Sequence, residues 1–455
     1  MLGIDGRMVS VWRRTIALGW PIAIDQTLMT LMRTVDIVVT GLFSPIAVAA
    51  VGLADLYAQL PLRIGLGLGA GTIALSSQET GRGAGVTRDE AITQALLLGA
   101  ILGLPFVALG LLVSRPLVAL LGAEAAVVRQ SGRYLGVILA VAPMQILLIV
   151  GSRALQGTGD TKTPMYINAG TNMINIVLTV ALGLGIWIVP TLGIVGVGLA
   201  TAISQTLGAL LITAMVGGPR TDASLARPRN FTITRQLVRV SVPNFAEGLS
   251  TSLANFPFNA LILLFGTEAN AAYHIGSRVF RQLSGPVYRS VYTVASIIVG
   301  QSLGKDNPDQ ARFAARAILV FSVGILSIMG AAVFTGAEQV VELFTRDPTT
   351  IGYAIDFTRA FAVSMIFVGV FYPIAGSLVG AGDTRTPMYA RLVGVVIFLL
   401  AGSFLLGVTL DLGLVGVYAG VVFSFASWAL IVVAGFQWSG WQELAERMIE
   451  ERSDS

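Results

Sequence analysis

The sequence predicts an all-α integral membrane protein with twelve transmembrane helices in two related bundles of six. Three observations carry this reading. The 455 residues are 55% hydrophobic and only 12% charged, with a mean hydropathy of +0.79, where soluble domains carry about 25% charged residues. Apolar stretches recur along the chain, each near the roughly 20 residues needed to cross a bilayer. One long segment is also repeated at a fixed distance.

Composition excludes several classes. With no cysteine, disulfides, thiolate metal sites and cysteine nucleophiles are impossible. A single histidine, His274, leaves no basis for a histidine metal centre. The formal charge of +4 does not point to nucleic acid, because the basic residues are spread over short loops between spans instead of forming one patch. The N-terminal apolar segment, from about Ile16 to Phe43, carries Asp25 and Asp36. It is too long for a signal-peptide core and is expected to be the first spanning helix.

The expected spans lie near 15–42, 47–77, 90–113, 130–156, 163–189, 193–217, 236–265, 268–301, 310–337, 354–380, 386–410 and 413–437. A polar loop with Pro and Arg, 218–235, separates an N-lobe (1–217) from a C-lobe (236–437), and 438–455 forms a tail. Basic residues of the loops concentrate on one side, including Arg7, Arg13, Arg14, Arg82, Arg88, Lys162, Arg227, Lys305, Arg312 and Arg385. The other side holds Arg115, Arg129, Arg133 and Arg346. The basic side is expected to be cytoplasmic, which places both termini inside and agrees with an even number of spans in a plasma-membrane protein.

The chain carries an internal repeat. Gly157-Thr-Gly-Asp-Thr-Lys-Thr-Pro-Met-Tyr166 returns as Gly380-Ala-Gly-Asp-Thr-Arg-Thr-Pro-Met-Tyr389, a shift of 223 residues. At nearly the same shift, Pro21-x-x-x-Asp25 matches Pro243-x-x-x-Glu247, and Gln78-x-x-Gly81-Arg82 matches Gln301-x-x-Gly304-Lys305. Six spans per half give the halves the same orientation, as in parallel-repeat transporters. The glycines suit a tight helix connection, and Asp160 or Thr163 can cap the next helix with Pro164 in its first turn. The spacing of a phosphate-binding Gly-Lys-Ser/Thr loop is absent.

Ionisable residues inside spans are candidate functional residues. Asp25 and Asp36 are eleven residues apart, about three helical turns, with Met29, Met32 and Thr40 along nearly the same face. Asp36 either binds a cation or proton or pairs structurally with Arg33. Asn168, Asn172, Asn175 and Thr179 form a polar stripe on one helix face. Such a stripe can coordinate a cation or join helices.

The doubled Gly-x-Gly-Asp-Thr-Lys/Arg-Thr-Pro, the Pro-x-x-x-acid openings and Ala271-Ala-Tyr-His-Ile275 resemble the multidrug and toxic compound extrusion (MATE) transporters across essentially the whole chain. The resemblance implies a V-shaped pair of six-helix bundles. It also implies a secondary antiporter, not an enzyme, that exports amphipathic, often cationic small molecules in exchange for H⁺ or Na⁺ without a bound cofactor. Asp36 puts the chain nearer the branch resembling DNA-damage-inducible protein F and the archaeal members. By the same resemblance Asp36 is the coupling aspartate, with Asn172, Asn175, Thr179 and Thr201 around it as the coupling site. Thr179 stands where some members have a second aspartate, which tilts the expectation towards H⁺. Asp25, Met29, Met32, Glu247, Phe256 and His274 are expected at the substrate cavity, with His274 better read as a packing residue than a proton relay. No metal beyond Na⁺ is expected, and the chain is expected to act as a monomer in the lipid bilayer. Two alternatives are a lipid-linked precursor flippase, favoured by Arg33, Arg278 and Arg281, and a membrane-embedded prenyl-transfer enzyme. The enzyme would need paired aspartates for Mg²⁺, whereas Asp25, Asp36 and Asp55 are isolated.

Overall fold

A computed structural model of the chain describes residues 6–186 and 190–454, and these residues are almost entirely helical. In the first half run α1 (Gly6–Gly41), α2 (Pro45–Arg82), α3 (Gly85–Ala119), α4 (Ala125–Ala140), α5 (Ala142–Thr158), α6 (Lys162–Leu184) and α7 (Ile194–Val216). The second half has α8 (Phe231–Leu263), α9 (Thr267–Gly304), α10 (Pro308–Thr335), the short α11 (Ala337–Val341), α12 (Pro348–Gly380), α13 (Arg385–Val393) and α14 (Leu414–Trp438). A last helix, α15, spans Trp441–Ser453. The segment after α13 continues with π-helical geometry over Gly394–Gly402 and Leu405–Thr409. The end of the expected fifth span, 187–189, lies outside the described residues.

Among the described residues eight helices are long and apolar enough to cross a membrane by length and composition, and α4 with α5 would make a ninth. The other long helices, α1, α8 and α9, carry their own ionisable residues, among them Asp25, Asp36, Glu247 and Arg281. Sequence pattern gives one span over 130–156, but the structure breaks it into α4 and α5, bent by 47°. Pro143 sits in the first turn of α5, where its missing N–H cannot continue the ladder from α4. The expected tail is also helical, and Trp441, Ala445 and Met448 on one face are buried.

The repeated motif folds the same way twice. Gly159 and Gly382 are left-handed, with φ of 100° and 91°, a conformation that glycine adopts without steric penalty. The Asp160 carboxylate then accepts from the Thr163 N–H at 3.0 Å. Asp383 accepts from the Thr386 N–H at 3.1 Å. Each aspartate satisfies a donor of the following helix that has no partner within the helix itself. Gly193 and Gly413 repeat as well, with φ of 57° and 59°.

The described residues form two compact units. One joins the chain up to Ala23 to Pro243–Ser453; the other is Ile24–Val242. Their limits fall inside α1 and α8, next to the repeated Pro21 and Pro243, and not at the 218–235 loop. The physical reason is side-chain packing. In the first unit, Val11 and Ile22 bury against Val291, Val294 and Ile318, Trp12 donates to the Ala317 carbonyl at 2.8 Å, and Ser290 donates to that of Gly19 at 2.8 Å. In the second unit, the early turns of α8 lie on α2, with Gly71 facing Ser241 and Leu237. The 218–230 loop stays in the second unit because the buried Glu90 of α3 accepts from the backbone N–H groups of Arg229 and Asn230.

Gly380 allows close approach of α12 to α9, since a Cβ there would stand 2.5 Å from the Ser296 carbonyl oxygen. Gly380→Ala is expected to cost about 1–3 kcal/mol, as overpacking does, and to lower the melting temperature in detergent. Gly352→Ala, inside α12 where a Cβ would meet nothing within 4 Å, should hold or slightly raise it, since alanine favours the helix.

Candidate functional site

In the second unit, three helices bring polar side chains together. The Thr179 hydroxyl of α6 donates to Asp36 Oδ1 of α1 at 2.8 Å. The same hydroxyl lies 3.4 Å from Asn175 Oδ1, one turn earlier. The Asn175 amide donates onward to two hydroxyls of α7, Thr201 at 3.3 Å and Ser204 at 3.2 Å. Asn175 and Thr179 are fully buried, while Asp36 keeps partial exposure. Arg33 and Asp55 act on Asp36 electrostatically. The result is a row of polar side chains that ends in one carboxylate, with the single Thr179 proton shared between two acceptors. It offers oxygen atoms to a small cation and an acceptor to a proton. Among the described residues no group of three or more His, Asp or Glu side chains forms a multivalent metal site.

Asp25 makes a separate contact. It is buried, accepts from the Asn168 amide at 3.2 Å, and feels the charge of Arg153. Of the other expected residues, Asn172 is half-buried and stays outside the Asp36 chain. Met29 and Met32 are half-buried on α1.

In the first unit, Glu247 forms an ion pair with Arg391 of α13, Oε1 to Nε at 2.9 Å, with both side chains largely buried. The Nε–H does not point at the carboxylate, so the contact is ionic and not an aligned hydrogen bond. Arg391 also donates to the Tyr372 hydroxyl at 2.7 Å, and its guanidinium lies 4.9 Å from the Trp428 ring centre, a cation–π distance. Phe256 is exposed on α8. His274 is exposed on α9, its ring tilted 5.3 Å from that of Tyr273.

A family model described as MatE matches the chain twice, over residues 21–181 and 243–404. The chain belongs to the MatE family. It is accordingly a membrane transporter and not an enzyme. The two matches begin at Pro21 and Pro243, the openings of the internal repeat. The chain is 28% identical to a probable multidrug resistance protein NorM of Rhodopseudomonas palustris, covering 94% of this chain and 92% of that protein. It is 27% identical to the corresponding protein of Thermotoga maritima, covering 64% of this chain and 62% of that one. Its fold matches a solved MATE transporter of the MOP superfamily in an outward-facing conformation, with a TM-score of 0.86, 23% identity and coverage of 97% and 96%.

Within this MatE protein the repeat accounts for a residue that sequence reading missed. Arg391 stands 223 positions after Asn168, the shift that relates the two Gly-x-Gly-Asp-Thr motifs. The acid–partner contact is therefore duplicated: Asp25 with Asn168, Glu247 with Arg391. The first contact is a hydrogen bond from a neutral amide and the second an ion pair. Ser204 was also missed, although its place three residues after Thr201 puts both hydroxyls on one face of α7.

Removing one member of a buried ion pair strands the other charge, at about 3–5 kcal/mol. Arg391→Ala should therefore lower the melting temperature strongly. Arg391→Lys should recover only part of it, because a lysine keeps the charge but not the planar stacking surface. Thermal unfolding of the purified variants checks both.

Proposed function

We propose that the protein exports amphipathic, often cationic small molecules in exchange for H⁺, or for Na⁺, by alternating access in the plasma membrane. The observation that carries this reading is the hydrogen-bonded path from Asp36 through Thr179 and Asn175 to Thr201 and Ser204. Membership of the MatE family supports the transport class, and relatives named as multidrug resistance proteins support the kind of cargo.

The path behaves as a two-position switch. Thr179 has one hydroxyl proton and two acceptors within reach, Asp36 Oδ1 at 2.8 Å and Asn175 Oδ1 at 3.4 Å. An ionised Asp36 holds that proton. Once Asp36 is neutralised by H⁺, or occupied by Na⁺, its pull on the hydroxyl weakens and Thr179 turns to Asn175. The amide of Asn175 already holds two hydroxyls of α7, so the change at α1 reaches α6 and α7 through side chains in direct contact. A local charge change biasing a packed element with two arrangements is the general form of such switches. Thr179 supplies a neutral oxygen where a second carboxylate would strengthen Na⁺ binding, which favours H⁺ as the coupling ion. In this reading the termini are cytoplasmic, the branch is that of the DNA-damage-inducible protein F-like and archaeal members, and a single chain suffices.

Proteoliposomes with pH and Na⁺ gradients imposed separately test the proposal. Efflux of a lipophilic cation should follow the pH gradient and be lost in Asp36→Asn. Thr179→Val keeps shape but removes the switching hydroxyl, and should slow coupled efflux roughly tenfold, the effect of about 1.4 kcal/mol. Full gradient-driven efflux by Asp36→Asn would refute this coupling site.

A further inference from the structure

A groove of about 700 Å³ opens on the second unit among α3, α4 and α7. None of its lining residues belongs to the Asp36 path, although Ala202 on its wall is next to Thr201 in α7. Arg115 and Arg133 stand at one end, and Val137, Val141 and Leu199 continue the wall. Leu111 and Leu112, at its edge, are 69% and 78% exposed, as expected of side chains facing lipid.

The two arginines set the chemistry. Both are exposed, and neither makes a hydrogen bond or ion pair with any described residue. The stretches of α3, α4 and α7 that line the groove contain no carboxylate. Arg115 is held towards α4 because Gly132 leaves room for its stem; a Cβ on Gly132 would stand 2.5 Å from Arg115 Cγ and 3.0 Å from its Cα. Farther along, Gly136 faces the Gly110 backbone. Sequence hydropathy ends the third span near 113, so Arg115 stands where hydrocarbon gives way to headgroups, a depth at which arginine keeps its charge in the polar layer. From Arg133 to Val141 the groove runs about 12 Å along the helix, over apolar side chains, as far as the bend before α5.

We propose that this groove binds an anionic phospholipid of the leaflet opposite the termini, with its phosphate between Arg115 and Arg133 and one acyl chain along Val137 and Leu199. Two unpaired cations over a carboxylate-free apolar trough match a negative headgroup on a hydrocarbon tail. Basic pockets between membrane helices recognise anionic headgroups on the same principle. A zwitterionic lipid offers the same phosphate but adds an ammonium that two arginines repel.

Native mass spectrometry of the full chain in detergent, titrated with phosphatidylglycerol or phosphatidylcholine, tests the site. The wild type should retain phosphatidylglycerol roughly thirtyfold better, the order expected for two arginines near a membrane surface. Arg115→Ala/Arg133→Ala should lose that preference. Val137→Trp, which fills the trough but keeps both charges, should weaken binding of the same lipid. Equal retention of the two lipids by the wild type overturns the proposal, and that comparison does not depend on any variant folding. Undiminished phosphatidylglycerol binding by the double variant overturns it as well.

Discussion

A carboxylate that enters the hydrocarbon layer loses water and must find its partners within the protein. Among the carboxylates that face that demand are Asp25 and Asp36 on α1 and Glu247 on α8. Each is met by a residue on the helix that follows the repeated Gly-x-Gly-Asp-Thr turn: Asn168 and Thr179 on α6, Arg391 on α13. The turn therefore does more than connect helices. A left-handed glycine ends one helix, an aspartate caps the next, and Asn168 and Arg391 follow at the same spacing from their caps. The register of the cap determines which side chain meets the acid. The same register aligns α6 with Asp36, about three helical turns farther along.

Duplication of the scaffold has not kept the chemistry symmetric. In the first half the partner of Asp25 is a neutral amide. In the second, the partner of Glu247 is a guanidinium set against Tyr372 and Trp428, which makes a neutral, tightly held pair. The positions equivalent to Asp36, Asn175 and Thr179 are Phe258, Phe398 and Gly402, and Phe258 is buried edge-on against Tyr273. One half thus carries a polar path that can change its hydrogen bonding, and the other carries no such path at the same places. The exchange of helix beginnings at Pro21 and Pro243 adds a covalent link: α1 runs through both units on its way to Asp25 and Asp36.

Much of this was legible in the sequence, because membrane helices are specified by local composition. The long apolar stretches, the polar loops and the repeat locate the long helices, with ends that differ by up to nine residues where α1 begins at Gly6 and not near 15, and they leave out α11 and α15. Asp36, Asn175 and Thr179 were also legible, since polar side chains inside apolar spans are costly unless they meet one another or an ion; Thr201 was legible only through the family resemblance. What the sequence concealed depends on tertiary contact. The break between α4 and α5 hides in an uninterrupted apolar pattern, although Pro143 marks it. The assignment of α1's early turns to the unit of the second half depends on what Val11, Trp12 and Gly19 touch, which no local pattern records. Arg391 escaped because the repeat was followed through its acids and not through their partners. Asn172 carries the right residue type at the right spacing, but it stays outside the hydrogen-bonded path.

In the proposed coupling scheme the first half alone carries the group that meets the coupling ion, and that group is Asp36. Infrared difference spectra between acid and alkaline pH detect a carboxyl as it takes up a proton. For protein in lipid, one component of the buried protonated-carboxyl band should be lost in Asp36→Asn, the buried Asp25 keeping its own, and nothing should be lost in Glu247→Gln, whose parent side chain is held as an ion pair. A band unchanged in Asp36→Asn and diminished in Glu247→Gln would overturn the assignment.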